Sequence, residues 1–102
     1  MSLGDLQQVA MLAVARLGPD AYGAAIRDEL LHVAERKVSV QTVWVTLVRL
    51  EKQGLVDSTE GPREEGRRGR ARRVFRLTPA GWAALDTARA STARMWEGVV
   101  QP

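Results

Sequence analysis

Cysteine is absent from this chain, and histidine occurs once, as His32. The first absence removes disulfide scaffolds, thiolate zinc sites and cysteine nucleophiles together, and it fits a reducing compartment. The second leaves too few ligands for a usual zinc site and argues against a serine-histidine triad. His32, with Asp28 and Glu29 near it on one helix, reads as a surface or boundary residue. No apolar run approaches the roughly 18 residues that a membrane span requires. The opening "MSLGDLQQVAML" has neither a basic n-region nor a cleavage site. A cytoplasmic location with no membrane partner is expected. Lysine is scarce as well, with only 2 among the 15 basic side chains, so the positive charge is carried by arginine.

At 102 residues, with 26% charged and 45% hydrophobic side chains, the chain has the composition of one folded domain, short enough for a partner subunit to supply part of its stability. The net charge of +3 is unevenly spread. Residues 63–76 hold seven arginines and two glutamates, a local +5, which leaves −2 for everything else. A local basic patch of this kind points to phosphates more specifically than uniform basicity does. The glycines in "GPREEGRRGR" lack the spacing of a phosphate-binding loop ahead of a helix. Glu64 and Glu65, set among arginines, read as ion-paired or solvated rather than as acid-base groups. No catalytic residue, metal site or cofactor is expected.

Hydrophobic spacing orders the chain. Leu6, Val9, Ala10, Ala13, Val14 and Leu17 recur at helical intervals and predict a first helix from about Leu3 to Leu17, ended by Gly18-Pro19. Asp20 can cap a second helix running to about Glu35, with Tyr22, Ile26, Leu30 and Val33 inward. Val38 reads as a one-residue bridge in the connector. Ser39 caps a third helix from Val40 to Gln53, where Val43, Leu47 and Leu50 favour helix over strand despite the β-branched content. Gly54 supplies a left-handed stop, with Leu55 packing back. Residues 55–60 and 72–77 form a hairpin, with Arg72, Val74 and Arg76 on one face and Arg73, Phe75 and Leu77 on the other. Thr78-Pro79 then starts a fourth helix that reaches about Glu97.

The order, three helices, a hairpin and a helix, is a winged helix-turn-helix: mostly α with a small β-hairpin. Residues 1–77 make the winged-helix DNA-binding unit. Residues 78–102 make a C-terminal dimerisation helix, packed on the same structural domain and on its partner. If the third helix buries Val43, Leu47 and Leu50, its outer face carries Gln41, Val45, Arg49 and Lys52, with Thr42 beside them and Trp44 and Val48 at the flank. Ser39, Gln41, Thr42, Val45 and Arg49 are the candidate base readers, because glutamine pairs with adenine, arginine with guanine, threonine with either and a small apolar group with the thymine methyl. The competing reading is an ordinary solvated helix face. Arg67, Arg68, Arg70 and Arg72 are the candidate phosphate contacts of the wing, against the alternative of a solvated charge run. On the last helix Leu85, Ala88, Thr92, Met95 and Val99 recur at near-heptad spacing, with Trp82 and Trp96 alongside. That stripe covers either its own domain or a second copy.

"YGAAI" at 22–26, "SVQTVWVTLVRLEKQGLV" at 39–56 and "GRARRVFRLTPAGWAAL" at 69–85 give the chain a resemblance, over nearly its whole length, to the PadR-type winged-helix transcriptional regulators, in particular their short members with a single C-terminal helix. The resemblance implies a homodimer that binds double-stranded DNA at a palindromic operator, most often as a repressor. It also implies a dimer surface on the first and last helices, here Leu6, Ala10, Leu85, Thr92, Met95 and Trp96. A small aromatic or cationic effector held between tryptophans, here Trp82 and Trp96, is a further implication. Four positions depart from the family pattern. Trp44 stands where a tyrosine is usual, Val45 where a proline is usual, and Val74-Phe75 where two tyrosines are usual, so contacts made by those hydroxyls do not carry over. The alternative function is a winged-helix module for protein contact or for non-specific nucleic-acid binding.

Overall fold

The computed structural model of the chain describes residues 3–63 and 71–102. Helix α1 spans Asp5–Leu17, α2 Gly23–His32, α3 Val40–Lys52 and α4 Pro79–Trp96; strands β1, Val56–Arg63, and β2, Ala71–Leu77, lie between α3 and α4. The expected order of elements is present. Among the described residues, no helix is long and apolar enough to cross a membrane.

One core holds the elements together. Met11, Ala13 and Val14 of α1, Ile26 and Leu30 of α2 and Val43, Leu47 and Leu50 of α3 meet Val56, Phe75 and Leu85 from the hairpin and α4. Helices α1, α2 and α3 each contribute at i, i+3 or i+4 positions, as an amphipathic element must to bury one stripe, and α4 adds Leu85. Met11 fills the centre although the sequence periodicity did not single it out. Ion pairs such as Arg16 to Glu29, at 2.9 Å, join α1 to α2 at the surface, where an exposed pair contributes about 0–1 kcal/mol.

The second helix differs from expectation at both ends. Asp20 does not cap it: residues 18–20 form a 3₁₀ turn, and the helix begins at Gly23 after an extended Tyr22. The backbone of residues 21 and 22 is used elsewhere. Tyr22 bridges Val74 antiparallel, and the Phe75 N–H donates to the Ala21 carbonyl at 2.8 Å. The single bridge therefore lies at Tyr22 and not at Val38, which instead packs partly buried against the core. At the far end, Glu35 takes a left-handed conformation (φ 55°), and the Arg36 N–H donates to the Leu30 carbonyl at 2.9 Å. That reversal ends α2 at His32 and leaves Val33 52% exposed rather than inward.

The third and fourth helices begin and end by local chemistry that was legible. The Thr42 N–H donates to Ser39 Oγ at 3.0 Å. At the other end the Gly54 N–H donates to the Glu51 carbonyl and the Leu55 N–H to the Leu50 carbonyl, both at 3.0 Å, the pair of bonds that defines a Schellman stop, with Gly54 at φ 77°. Thr78 caps α4 by accepting from the Gly81 N–H at 3.0 Å. Its hydroxyl also donates to the Gly54 carbonyl at 2.6 Å, and its N–H to the Leu55 carbonyl at 3.1 Å. The stop of α3 and the start of α4 are thus one joint.

Candidate nucleic-acid interface

Helix α3 presents two unlike faces. Val43, Thr46, Leu47 and Leu50 are buried, while Gln41, Thr42, Val45, Arg49 and Lys52 are exposed. Thr46 tolerates burial because its hydroxyl donates to the Thr42 carbonyl at 2.8 Å. Ser39 stands at the first turn, its hydroxyl donating to Thr42 Oγ1 at 3.0 Å while accepting from the Thr42 N–H. All five reader candidates therefore lie on solvent-facing surface, a helix presenting an amide, hydroxyls, a small apolar group and a guanidinium. Those groups can donate to and accept from base edges.

The flank of α3 toward the hairpin carries a contact that the wheel did not anticipate. Trp44, 43% exposed, meets buried Phe75 of β2 edge to face, with ring centroids 6.0 Å apart and planes at 75°. About two turns farther on, Glu51 accepts a hydrogen bond from the Ser58 hydroxyl of β1. The hairpin itself is antiparallel, pairing Val56 with Leu77, Ser58 with Phe75 and Glu60 with Arg73, with an irregularity between Glu60 and Arg63. Alternation puts Phe75 into the core and leaves Arg76 exposed; Arg73, on the same face as Phe75 two residues earlier, is exposed as well.

Of the wing candidates, Arg67, Arg68 and Arg70 lie outside the described residues, as do Glu64 and Glu65. Arg72 is described and half-buried, its guanidinium 4.0 Å from the centre of the Tyr22 ring. A stack of that kind holds a cation in a fixed place at the root of the wing. Tyr22 gained this role through the tertiary fold, since the bridge to Val74 and the Phe75 N–H bond to the Ala21 carbonyl bring it beside the strand.

The fourth helix divides in two. Gly81 and Leu85 are buried against the body, whereas every residue from Arg89 onward is exposed. Two of the six interface candidates are consequently consumed within the protomer. Ala10 is 1% and Leu85 8% exposed, because α1 and the first turns of α4 face their own core. Leu6, Thr92, Met95 and Trp96 retain free surface, and Trp96 is 68% exposed. A groove of 470 Å³ runs between α1 and α4, lined in part by Gln8, Leu12, Trp82, Asp86, Arg89 and Thr92. Trp96 does not line it. Fourteen residues of helix separate the two tryptophans, about 21 Å along the axis, so Trp82 and Trp96 of one protomer cannot enclose a single small molecule.

Comparison with known proteins agrees with this geometry. The family described as the transcriptional regulator PadR-like family matches residues 11–87. Transcriptional regulator Rv3488 of Mycobacterium tuberculosis is 44% identical over 70 residues, 69% of this chain; the chain spans 61% of that relative's length. Among solved structures, a PadR-like transcription factor from Bacteroides fragilis superposes with a TM-score of 0.72 at 27% identity, covering 90% of this chain and 84% of its own. A PadR family regulator from Eggerthella lenta does so with a TM-score of 0.68 at 26% identity, covering 92% and 81%. The matched span runs from α1, through α3 and the hairpin, to the buried turns of α4, and the chain belongs to the PadR-like family of transcriptional regulators.

Proposed function

We propose that the chain acts in the cytoplasm as a sequence-specific DNA-binding repressor, a homodimer on a palindromic operator. The observation that carries this reading is the solvent-facing side of α3, with Gln41, Thr42, Val45 and Arg49 exposed beside a hairpin whose sequence concentrates arginine. In it, Ser39 and the four side chains of α3 meet bases, and Arg67, Arg68, Arg70 and Arg72 meet phosphates. The exposed outer half of α4, with Met95 and Trp96, supports a second copy as its cover, since none of the described residues of the same protomer buries it. The groove between α1 and α4 is the effector site of this reading. It takes a small aromatic or cationic compound against Trp82, with any second aromatic wall supplied by the partner subunit. No catalytic role and no cofactor form part of the proposal.

The test is to recover the DNA that the purified protein selects from a randomised pool. The expected product is a palindromic consensus with half-sites about 10 base pairs apart or a multiple of that. If four wing arginines per protomer meet phosphates in a dimer, log K falls with log salt at a slope of about −7. A slope near zero would point to a module for protein contact, and a steep slope with no preferred sequence to a non-specific binder. Either result defeats the operator reading.

A further inference from the structure

We propose that Trp44 and Ser58 are positioning residues for DNA binding: with Phe75 and Glu51 they lock one rung of the hairpin to the reading helix and so set where the wing's arginines fall. This inference rests on the reading of α3 and the wing given above. It starts from a coincidence of register. Ser58 and Phe75 are direct cross-strand partners, and α3 touches both of them, Phe75 through Trp44 and Ser58 through Glu51. Seven residues separate Trp44 from Glu51, about 10 Å along the helix axis. Two points of attachment that far apart fix the angle of a hairpin across a helix, which one point would leave free to pivot.

The chemistry of the two attachments suits that role. A T-shaped aromatic contact depends on the angle between the rings as well as on their separation, unlike general apolar packing. The bond from the Ser58 hydroxyl to the Glu51 carboxylate is charge-assisted and directional. Trp44 is not needed to fill the core, since nearly half of it is exposed while Val43 and Leu47 beside it are buried. The irregular pairing between Glu60 and Arg63 loosens the hairpin two residues beyond the clamped rung. The clamped rung is therefore the place at which α3 holds both strands ahead of that irregularity. Tyr22 and Ala21 hold β2 to the chain ahead of α2, and the clamped rung adds the attachment that ties the hairpin to the exposed face of α3 itself.

Substitution without change of charge isolates the effect. Trp44→Ala and Ser58→Ala remove no arginine, so they can alter the salt slope only by moving arginines that remain. Native protein, the two variants and Trp44→Phe would be titrated with a duplex that the native protein selected from a randomised pool and with a scrambled duplex, over a range of salt. Trp44→Ala is expected to bind the selected duplex about three- to tenfold less tightly. Its slope should fall in magnitude by about 2, the loss of one phosphate contact per protomer in a dimer. Ser58→Ala should shift both in the same direction by less, and Trp44→Phe, which keeps a ring edge for Phe75, should restore the native slope. Circular dichroism verifies folding, and if Trp44→Ala does not fold, Ser58→Ala and Trp44→Phe carry the test. Folded Trp44→Ala and Ser58→Ala proteins with the native slope overturn the clamp and leave the operator reading standing. Native protein that shows neither slope nor sequence preference overturns both.

Discussion

Replacing Gly81 by alanine tests the joint between α3 and α4, and the direction of the effect is the informative part. On helix propensity alone, alanine should be the better residue by up to about 1 kcal/mol. The structure reverses that expectation. A Cβ on Gly81 would lie 2.1 Å from the Leu55 carbonyl oxygen and 3.3 Å from Met11 Cε. Met11 can rotate away, but the carbonyl belongs to the backbone that stops α3 and accepts the Thr78 N–H at 3.1 Å. The helix start must move by more than an ångström, a backbone overpacking that costs about 3 kcal/mol, and the displaced hydrogen bond costs about 1 more. Set against the propensity gain, the net loss is about 3 kcal/mol. For a domain of this size that lowers the melting temperature by roughly 12–24 °C. The assay is a thermal melt by circular dichroism, at one protein concentration for all variants because dimerisation would make the midpoint concentration-dependent. Ala83→Gly, at an exposed site two residues along the same helix, is the control and should cost only about 1 kcal/mol. A Gly81→Ala protein that melts at or above the native temperature would refute the close approach of α4 to Leu55.

Ser39→Ala removes the acceptor for the Thr42 N–H and should lower stability by about 1 kcal/mol, read as a lower urea midpoint with an unchanged slope. Trp96→Glu leaves the buried half of α4 untouched and should convert the proposed dimer to monomer in sedimentation equilibrium; a variant that stays dimeric would move the interface elsewhere. Gln41→Ala and Arg49→Ala should each weaken binding to the selected duplex by roughly 1–3 kcal/mol and spare scrambled DNA, whereas Arg68→Ala with Arg70→Ala should weaken both and flatten the salt slope. Equal losses on both duplexes for both sets would remove the division between reader and wing. Tyr22→Leu should cost about 0.5–1 kcal/mol of stability through the lost stack with Arg72, and Tyr22→Phe much less.

Local chemistry explains which elements were legible. Ser39, Gly54 and Thr78 each act through a bond to a backbone group within a few residues, and all three function as the sequence implies. The core stripe of α3 follows from its own period, as does the burial of Phe75 in β2. The errors fall where a distant segment competes for the backbone. Asp20 is a good capping residue in isolation, but the main chain beyond it is recruited by β2, and the helix starts later. Ala10 and Leu85 have the spacing of an interface and are taken by the protomer's own core instead.

By itself, then, the sequence determined the number and order of elements, the caps that begin α3 and α4, and the concentration of arginine in one segment, because each depends on neighbours in the chain. Which rung of the hairpin α3 holds, that Tyr22 sits under Arg72, that Gly81 must stay bare beside Leu55, and which half of α4 is left for a partner were decided only by the tertiary structure. The contacts Leu55–Gly81, Trp44–Phe75 and Tyr22–Arg72 join residues 26, 31 and 50 positions apart, and helical or strand periodicity says which side of an element faces inward without saying what it meets there.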